Sequence, residues 1–135
     1  MNPEMHALMI ERFSKDSLIA LATADGDTPH VRAVNAYYTD GAFYCVTNSQ
    51  SNKMQQIGKN SKVAICGEWF TGHGIGESLG HVLREENRAL MEILRPAFAS
   101  WYSNGHVNES DPNTILLKIT LTQGMLMKHG RRYEF

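Results

Sequence analysis

The chain has 135 residues, a length that favours one domain with one core spanning residues 1–135. Its 13 basic and 14 acidic side chains leave a formal charge of −1, so the basic excess of a nucleic-acid-binding surface is missing. Hydrophobic residues make up 42%, ordinary for a globular domain, and no apolar run approaches the roughly 20 residues that span a bilayer, so no membrane partner is expected.

The first residues, Met1-Asn2-Pro3-Glu4-Met5-His6, lack the basic and apolar regions of a signal peptide. The two cysteines, Cys45 and Cys66, sit in apolar strand-like runs and read as reduced core residues of a cytoplasmic protein. From Asn2 to Phe13, Met5, Leu8, Met9 and Phe13 recur at helical spacing, with Pro3 tolerated in the first turn. Ser17 to Ala24 (SLIALATA) is a strand-length apolar run that ends at the turn signal Asp25-Gly26-Asp27. His30 to Thr39 alternates as a strand, Asp40-Gly41 signals a hairpin, and Ala42 to Val46 returns.

Ser51 to Lys59 reads as a short helix with Met54 and Ile57 inward, and Val63 to Phe70 as a further strand. Gly72 to Gly80 reads as a glycine-rich loop. Val82 to Tyr102 is the longest helix candidate, with a stripe through Leu83, Leu90, Ile93, Leu94, Ala97, Phe98 and Trp101 and a kink or split expected at Pro96. After a polar loop, Thr114 to Leu121 and Met125 to Lys128 close the chain as strands. Consecutive hairpins with few helices between them predict a mainly β (α+β) fold, an antiparallel sheet or small barrel.

The chemistry concentrates where the Ala42–Val46 strand meets the short helix: Thr47, Asn48, Ser49, Ser51, Asn52 and Lys53 fall together. One reading is a helix cap. The other is an anion cradle, since a helix N-terminus offers unpaired N–H groups and a partial positive charge. Lys53 separates them, because a cation in the first turn opposes the macrodipole unless an anion sits there. Arg32, on the strand before the hairpin, adds a second cation that antiparallel pairing should bring toward Thr47.

The segment "HVRAVNAYYTDGAFYCVTNSQSNKMQQI" resembles the flavin-binding segment of the pyridoxamine 5'-phosphate oxidase-like split barrels. There an Arg-containing strand pairs with one ending in Thr-Asn, followed by Ser-(Arg or Asn)-Lys and a short helix. The resemblance implies an antiparallel split β-barrel with a few flanking helices. It also implies that Arg32 and Lys53, helped by Ser51 and Asn52, bind the phosphate of FMN. Backbone at Ala33, Val34, Asn35, Val46 and Thr47 would line the ribityl chain and ring. It implies a homodimer with flavin at the interface and a small-molecule substrate or nicotinamide donor; the stripe ending in Trp101-Tyr102 and the final strands are candidates for the partner surface, although most of the stripe reads first as intramolecular core. The tail "LMKHGRRYEF" does not reproduce the oxidase's substrate-binding arginine and histidine pattern, so vitamin B6 is not the expected substrate. A deazaflavin, or a non-enzymatic flavin- or haem-binding module, stays open beside the FMN oxidoreductase, and no catalytic residue is assigned.

Other patterns weigh less. Gly72 to Gly80 lacks both the Gly-x-Gly-x-x-Gly spacing and a Walker loop's Gly-Lys-Ser/Thr. It reads as a mobile loop beside the cofactor or a turn, with His73 either near the flavin or in solvent. His106, Glu109 and Asp111 lie within six residues, but structural metal ligands come from separated segments, so a turn-rich loop without metal is expected.

Overall fold

The computed structural model describes residues 1–135. Helix α1 (Pro3–Phe13) leads into strands β1 (Ser17–Asp25), β2 (Thr28–Thr39) and β3 (Ala42–Asn48), then helix α2 (Asn52–Lys59), β4 (Lys62–Gly67) and β5 (Phe70–His81). A 3-10 turn at Glu85–Asn87 precedes α3 (Arg88–Ala97) and the single helical turn α4 (Ala99–Trp101); β6 (Thr114–Lys128) and β7 (Arg131–Glu134) follow. All pairings are antiparallel. The order β3-β2-β1-β4-β5-β6 closes on itself through β3–β6, and β7 folds back on β6. This is the antiparallel barrel that the sequence predicts.

Alternation explains the closure. Ile19 and Leu21 of β1, Phe43 and Cys45 of β3, Val63 and Ile65 of β4, and Ile115, Leu117 and Ile119 of β6 all point into one core. Met5, Met9 and Phe13 of α1 and Met54 and Ile57 of α2 complete it. Phe13 packs edge-on against Phe43 and Phe70, with ring centroids 5.5 and 5.7 Å apart. No helix is long and apolar enough to cross a membrane.

Five expectations are corrected. The run Val63 to Phe70 is not one strand: it turns at Glu68-Trp69, with Trp69 at φ 51°, and Phe70 already belongs to β5. The glycine-rich segment is no loop but the body of β5. Its glycines at 72, 74 and 76 face the core, where a Cβ would lie 2.9 Å from the Phe70 ring, 2.6 Å from the Thr120 carbonyl oxygen and 3.2 Å from Ile57 respectively. Glycine here serves close packing rather than mobility. The long helix begins only at Arg88 and is split at Phe98, two residues past Pro96, as the proline foretells. Cys45 is buried as expected, but Cys66 is exposed, because it takes an outward position on β4. The final strands are also one element, β6, with a register irregularity opposite His73–Gly74.

Part of the helical stripe packs inside its own subunit, while Leu83 and Ile93 stay exposed. Met91, Leu94, Phe98 and Tyr102 cover Ala42, Tyr44 and Leu116 on the outer face of β3 and β6. The feature that positions a site lies on the neighbouring strand. β1 and β2 pair along their whole length, from Ser17 opposite Ala36 to Asp25 opposite Thr28. β2 and β3 pair only next to their turn, at Tyr37–Tyr44, Tyr38–Phe43 and Thr39–Ala42. Beyond that point β3 stays with β6 and β2 stays with β1, so the two strands splay apart.

Candidate functional site

The splay opens a pocket of about 290 Å³. Val34 and Asn35 of β2 form one wall, Cys45, Val46 and Thr47 of β3 the other, and Lys53, Trp101 and His106 line the remainder. Over this stretch neither facing strand edge has a ladder partner, so alternate backbone N–H and C=O groups are available to a ligand. Five residues singled out in the sequence therefore meet here: Val34, Asn35, Val46, Thr47 and Lys53.

Lys53 enters from the first turn of α2 and donates from Nζ to the Thr47 hydroxyl. Burial holds its pKa below the ordinary lysine value; Cys45 opposes this and the nearby Arg32 charge adds to it. A lysine destabilised as a cation, with a hydroxyl beside it, is one that a bound anion would stabilise. Ser51 caps α2, but its hydroxyl accepts from the Met54 N–H at 3.4 Å, at the long limit of a hydrogen bond. Asn52 is exposed at the start of the helix. The cap is thus real and slack, and Lys53 is left unexplained by capping.

Arg32 reaches the same region by another route than hairpin pairing, since the β2–β3 ladder ends well before it. Its guanidinium donates to the Leu21 carbonyl at 3.2 Å, to Thr23 Oγ1 at 2.7 Å and to Gln56 Oε1 at 3.1 Å. The buried Thr23 also donates to Gln56 Oε1, at 2.5 Å. Gln56 lies one helical turn from Lys53 on α2, so Arg32 ties β1 and β2 to the helix that carries the lysine. Arg32, Ala33, Ser51 and Asn52 do not line the pocket; Ala33 is exposed on the outer face of β2.

Asp16 and Gln56 were not singled out from the sequence, and Trp101 and His106 were read as parts of the helical stripe and of a polar loop rather than of this pocket. Asp16 joins Asn35 to Trp101, accepting from Asn35 Nδ2 at 2.9 Å and from Trp101 Nε1 at 3.0 Å. No local pattern links residues that far apart in the chain. His106 follows Gly105, which has φ 85°, and borders both this pocket and an adjoining polar one of about 370 Å³ with Asn48, Asn108 and Asp111.

The other candidates lie elsewhere. His73 is exposed on β5, its Nδ1 2.8 Å from Gln123 Nε2, facing a hollow of about 520 Å³ on the outer sheet face. Glu109 is engaged by Arg95 at 2.8 Å and by the Tyr102 hydroxyl at 2.5 Å, which lowers the Glu109 pKa chiefly through the Arg95 bond. That network, with His81 Nε2 at 2.8 Å from the Glu109 carbonyl oxygen, fastens the loop to α3. No three His, Cys, Asp or Glu side chains group as a metal site.

Comparison with known proteins places this fold. The sequence profile described as pyridoxamine 5'-phosphate oxidase matches residues 5–128. Among solved structures, the General Stress Protein 26 of Bacillus anthracis is similar with TM-score 0.73 and 17% identity, covering 98% of this chain and 99% of that one. A NimC/NimA family protein from Clostridium acetobutylicum gives TM-score 0.67 at 21% identity, covering 97% and 94%. A structure described as an FAD-binding protein from Mesorhizobium loti gives TM-score 0.67 at 15%, covering 92% of each chain. No curated protein matches the chain.

Proposed function

The chain belongs to the pyridoxamine 5'-phosphate oxidase family, and from that premise we propose that it is an FMN-binding flavoprotein acting as an oxidoreductase on a small molecule. The observation that carries the reading is the pocket at the β2–β3 splay, with Lys53 and Thr47 at one end and two unpaired strand edges along it. The donor set fits the cofactor. Lys53, backed by Arg32 at Gln56, suits a phosphate. Strand edges suit the polar rim of the flavin ring, and Val34, Val46 and Trp101 suit its faces. The similarity to a structure described as FAD-binding supports a flavin without separating FMN from FAD.

When bound, the flavin supplies the hydride chemistry, and the protein supplies binding and orientation. In this chain the edges of β2 and β3 fix the ring, while Lys53 and Thr47 anchor the phosphate end. His106 lines the same pocket and offers its imidazole to a substrate. A second reading, a flavin carrier without turnover, draws on one observation: no carboxylate lines the pocket.

The test is an absorbance spectrum of purified protein after excess FMN and desalting, followed by NADH or NADPH. The expected result is about one flavin per chain, bleached by a nicotinamide donor. Retained flavin that is never reduced at a useful rate leaves the carrier reading. A colourless protein rejects both, and a Soret band moves the assignment to haem.

A further inference from the structure

Asp16 stands outside the pocket, in the connection between α1 and β1, yet it touches two of the pocket's walls. One carboxylate oxygen accepts from Asn35 Nδ2 at 2.9 Å, the other from Trp101 Nε1 at 3.0 Å. Asn35 belongs to β2, on one side of the splay. Trp101 ends α4, on the helical segment that closes the other side. One side chain therefore sets the spacing between two walls that share no backbone hydrogen-bond ladder. Trp101 is held from a second direction by the fully buried Phe98, whose ring centroid lies 5.0 Å away. Its indole is thus fixed at the ring edge and against Phe98, and still lines the cavity.

A carboxylate is the group this arrangement needs. It accepts on both oxygens, and a charge-assisted bond is about twice as strong as a neutral one. An asparagine offers one acceptor and turns its NH₂ toward the other donor, so it cannot hold both walls. An indole held in place presents a flat π-surface to the cavity, complementary to a planar, electron-poor heteroaromatic ring.

We propose that Asp16 is a positioning residue for the ligand site, fixing Asn35 and Trp101 so that Trp101 forms the aromatic wall against which the flavin ring lies. This deepens the flavin reading and rests on it. Asp16 acts only through the two side chains it holds.

The experiment compares wild type with Asp16→Ala, Asp16→Asn and Trp101→Leu, each titrated with FMN and followed by flavin absorbance; circular dichroism and a thermal midpoint check folding. Wild type saturated with FMN is expected to show a charge-transfer shoulder on the long-wavelength edge of the flavin band. Trp101→Leu abolishes that shoulder. Both Asp16 variants weaken FMN binding about tenfold and lose the shoulder even at saturating FMN. A purely structural role lowers the thermal midpoint and leaves the shoulder in place, which overturns the proposal. Asp16→Asn preserves volume and one acceptor, so it answers the question if Asp16→Ala does not fold. Equal affinity and an equal shoulder in the Asp16 variants defeat the proposal while the flavin reading stands. A wild type that retains no FMN defeats both.

Discussion

Lys53 is where stability and binding pull apart. Its folded pKa lies below the ordinary 10.5, first because the ammonium is partly buried. The unfolded chain then holds more protons between the lowered value and 10.5, so apoprotein stability rises with pH through that window. The penalty is present in full below the folded pKa and is relieved above it. Comparing wild type with Lys53→Met isolates this: the stability difference should shift in favour of wild type as pH climbs toward 10.5, as read from urea midpoints. A phosphate at the site reverses the local balance by favouring the cation. Lys53→Ala should therefore weaken FMN binding by roughly ten- to a hundredfold, the loss of one charge-assisted bond, measured by flavin fluorescence titration. Arg32→Ala should act differently. Three of its contacts are with the barrel and α2 rather than the pocket, so it should lower the thermal midpoint as well as the affinity. The sequence showed both cations but not this division of labour, since Thr23 and Gln56 become partners only after the barrel closes.

The two N-caps provide an internal comparison at the level of elements. Asn2 Oδ1 accepts from the Met5 N–H at 2.8 Å at the start of α1, whereas Ser51 caps α2 at 3.4 Å. Asn2→Ala should cost about 1 kcal/mol and Ser51→Ala only a few tenths, by chemical denaturation. If Ser51 serves the phosphate, its substitution should still weaken FMN binding. Strand β5 makes a second, sharper case. A Cβ on Gly74 would sit 2.6 Å from a backbone carbonyl oxygen, whereas one on Gly76 would meet the Ile57 side chain at 3.2 Å. Gly74→Ala should destabilise by about 1–3 kcal/mol, and Gly76→Ala by less, because a side chain can move and a paired strand cannot. These glycines also explain a misreading. Composition marks Gly72 to Gly80 as a loop, and only the pressure of Phe70, Thr120 and Ile57 against the strand shows why side chains are excluded there. The α1, β1–β3 and α2 elements were legible because their own alternation, turns and caps define them. The start of α3 was not, because the stripe read from the sequence runs back to Leu83, which is exposed, while the buried Val82 and Asn87 hold this segment without an α-helix, Asn87 donating to the Leu79 and His81 carbonyls.

At the scale of the whole molecule, β1 carries an unused signal. SLIALATA is apolar on both faces, yet the barrel buries only its inward set, Ser17, Ile19, Leu21 and Thr23. A strand solvated on one face ordinarily alternates with polar residues. Here Leu18 remains 68% exposed and Val31, beside Ala22 on β2, 70% exposed. Ala20, Ala22, Ala64 and the unpaired thiol of Cys66 continue the same outer face, around the hollow of about 520 Å³. Of the helical stripe, Leu94 and Phe98 pack with Tyr44 and Leu116 within the subunit, while Ile93 and Leu83 stay 42% and 56% exposed, so part of it also remains open to a partner. We propose this contiguous apolar face as the surface where a second copy docks; Ala33, which the family resemblance implies at the flavin, lies exposed on the same side of β2. Assembly and cofactor binding should then be coupled. Wild type should sediment at twice the monomer mass, and Val31→Glu combined with Leu18→Glu should return it to a monomer with unchanged circular dichroism, because both side chains are already outside the core. If the second copy completes each site, the monomer should also lose FMN. A wild type that sediments as a monomer, or a charged variant that stays dimeric with its flavin, would place the interface elsewhere and leave the apolar outer face of β1 without an explanation.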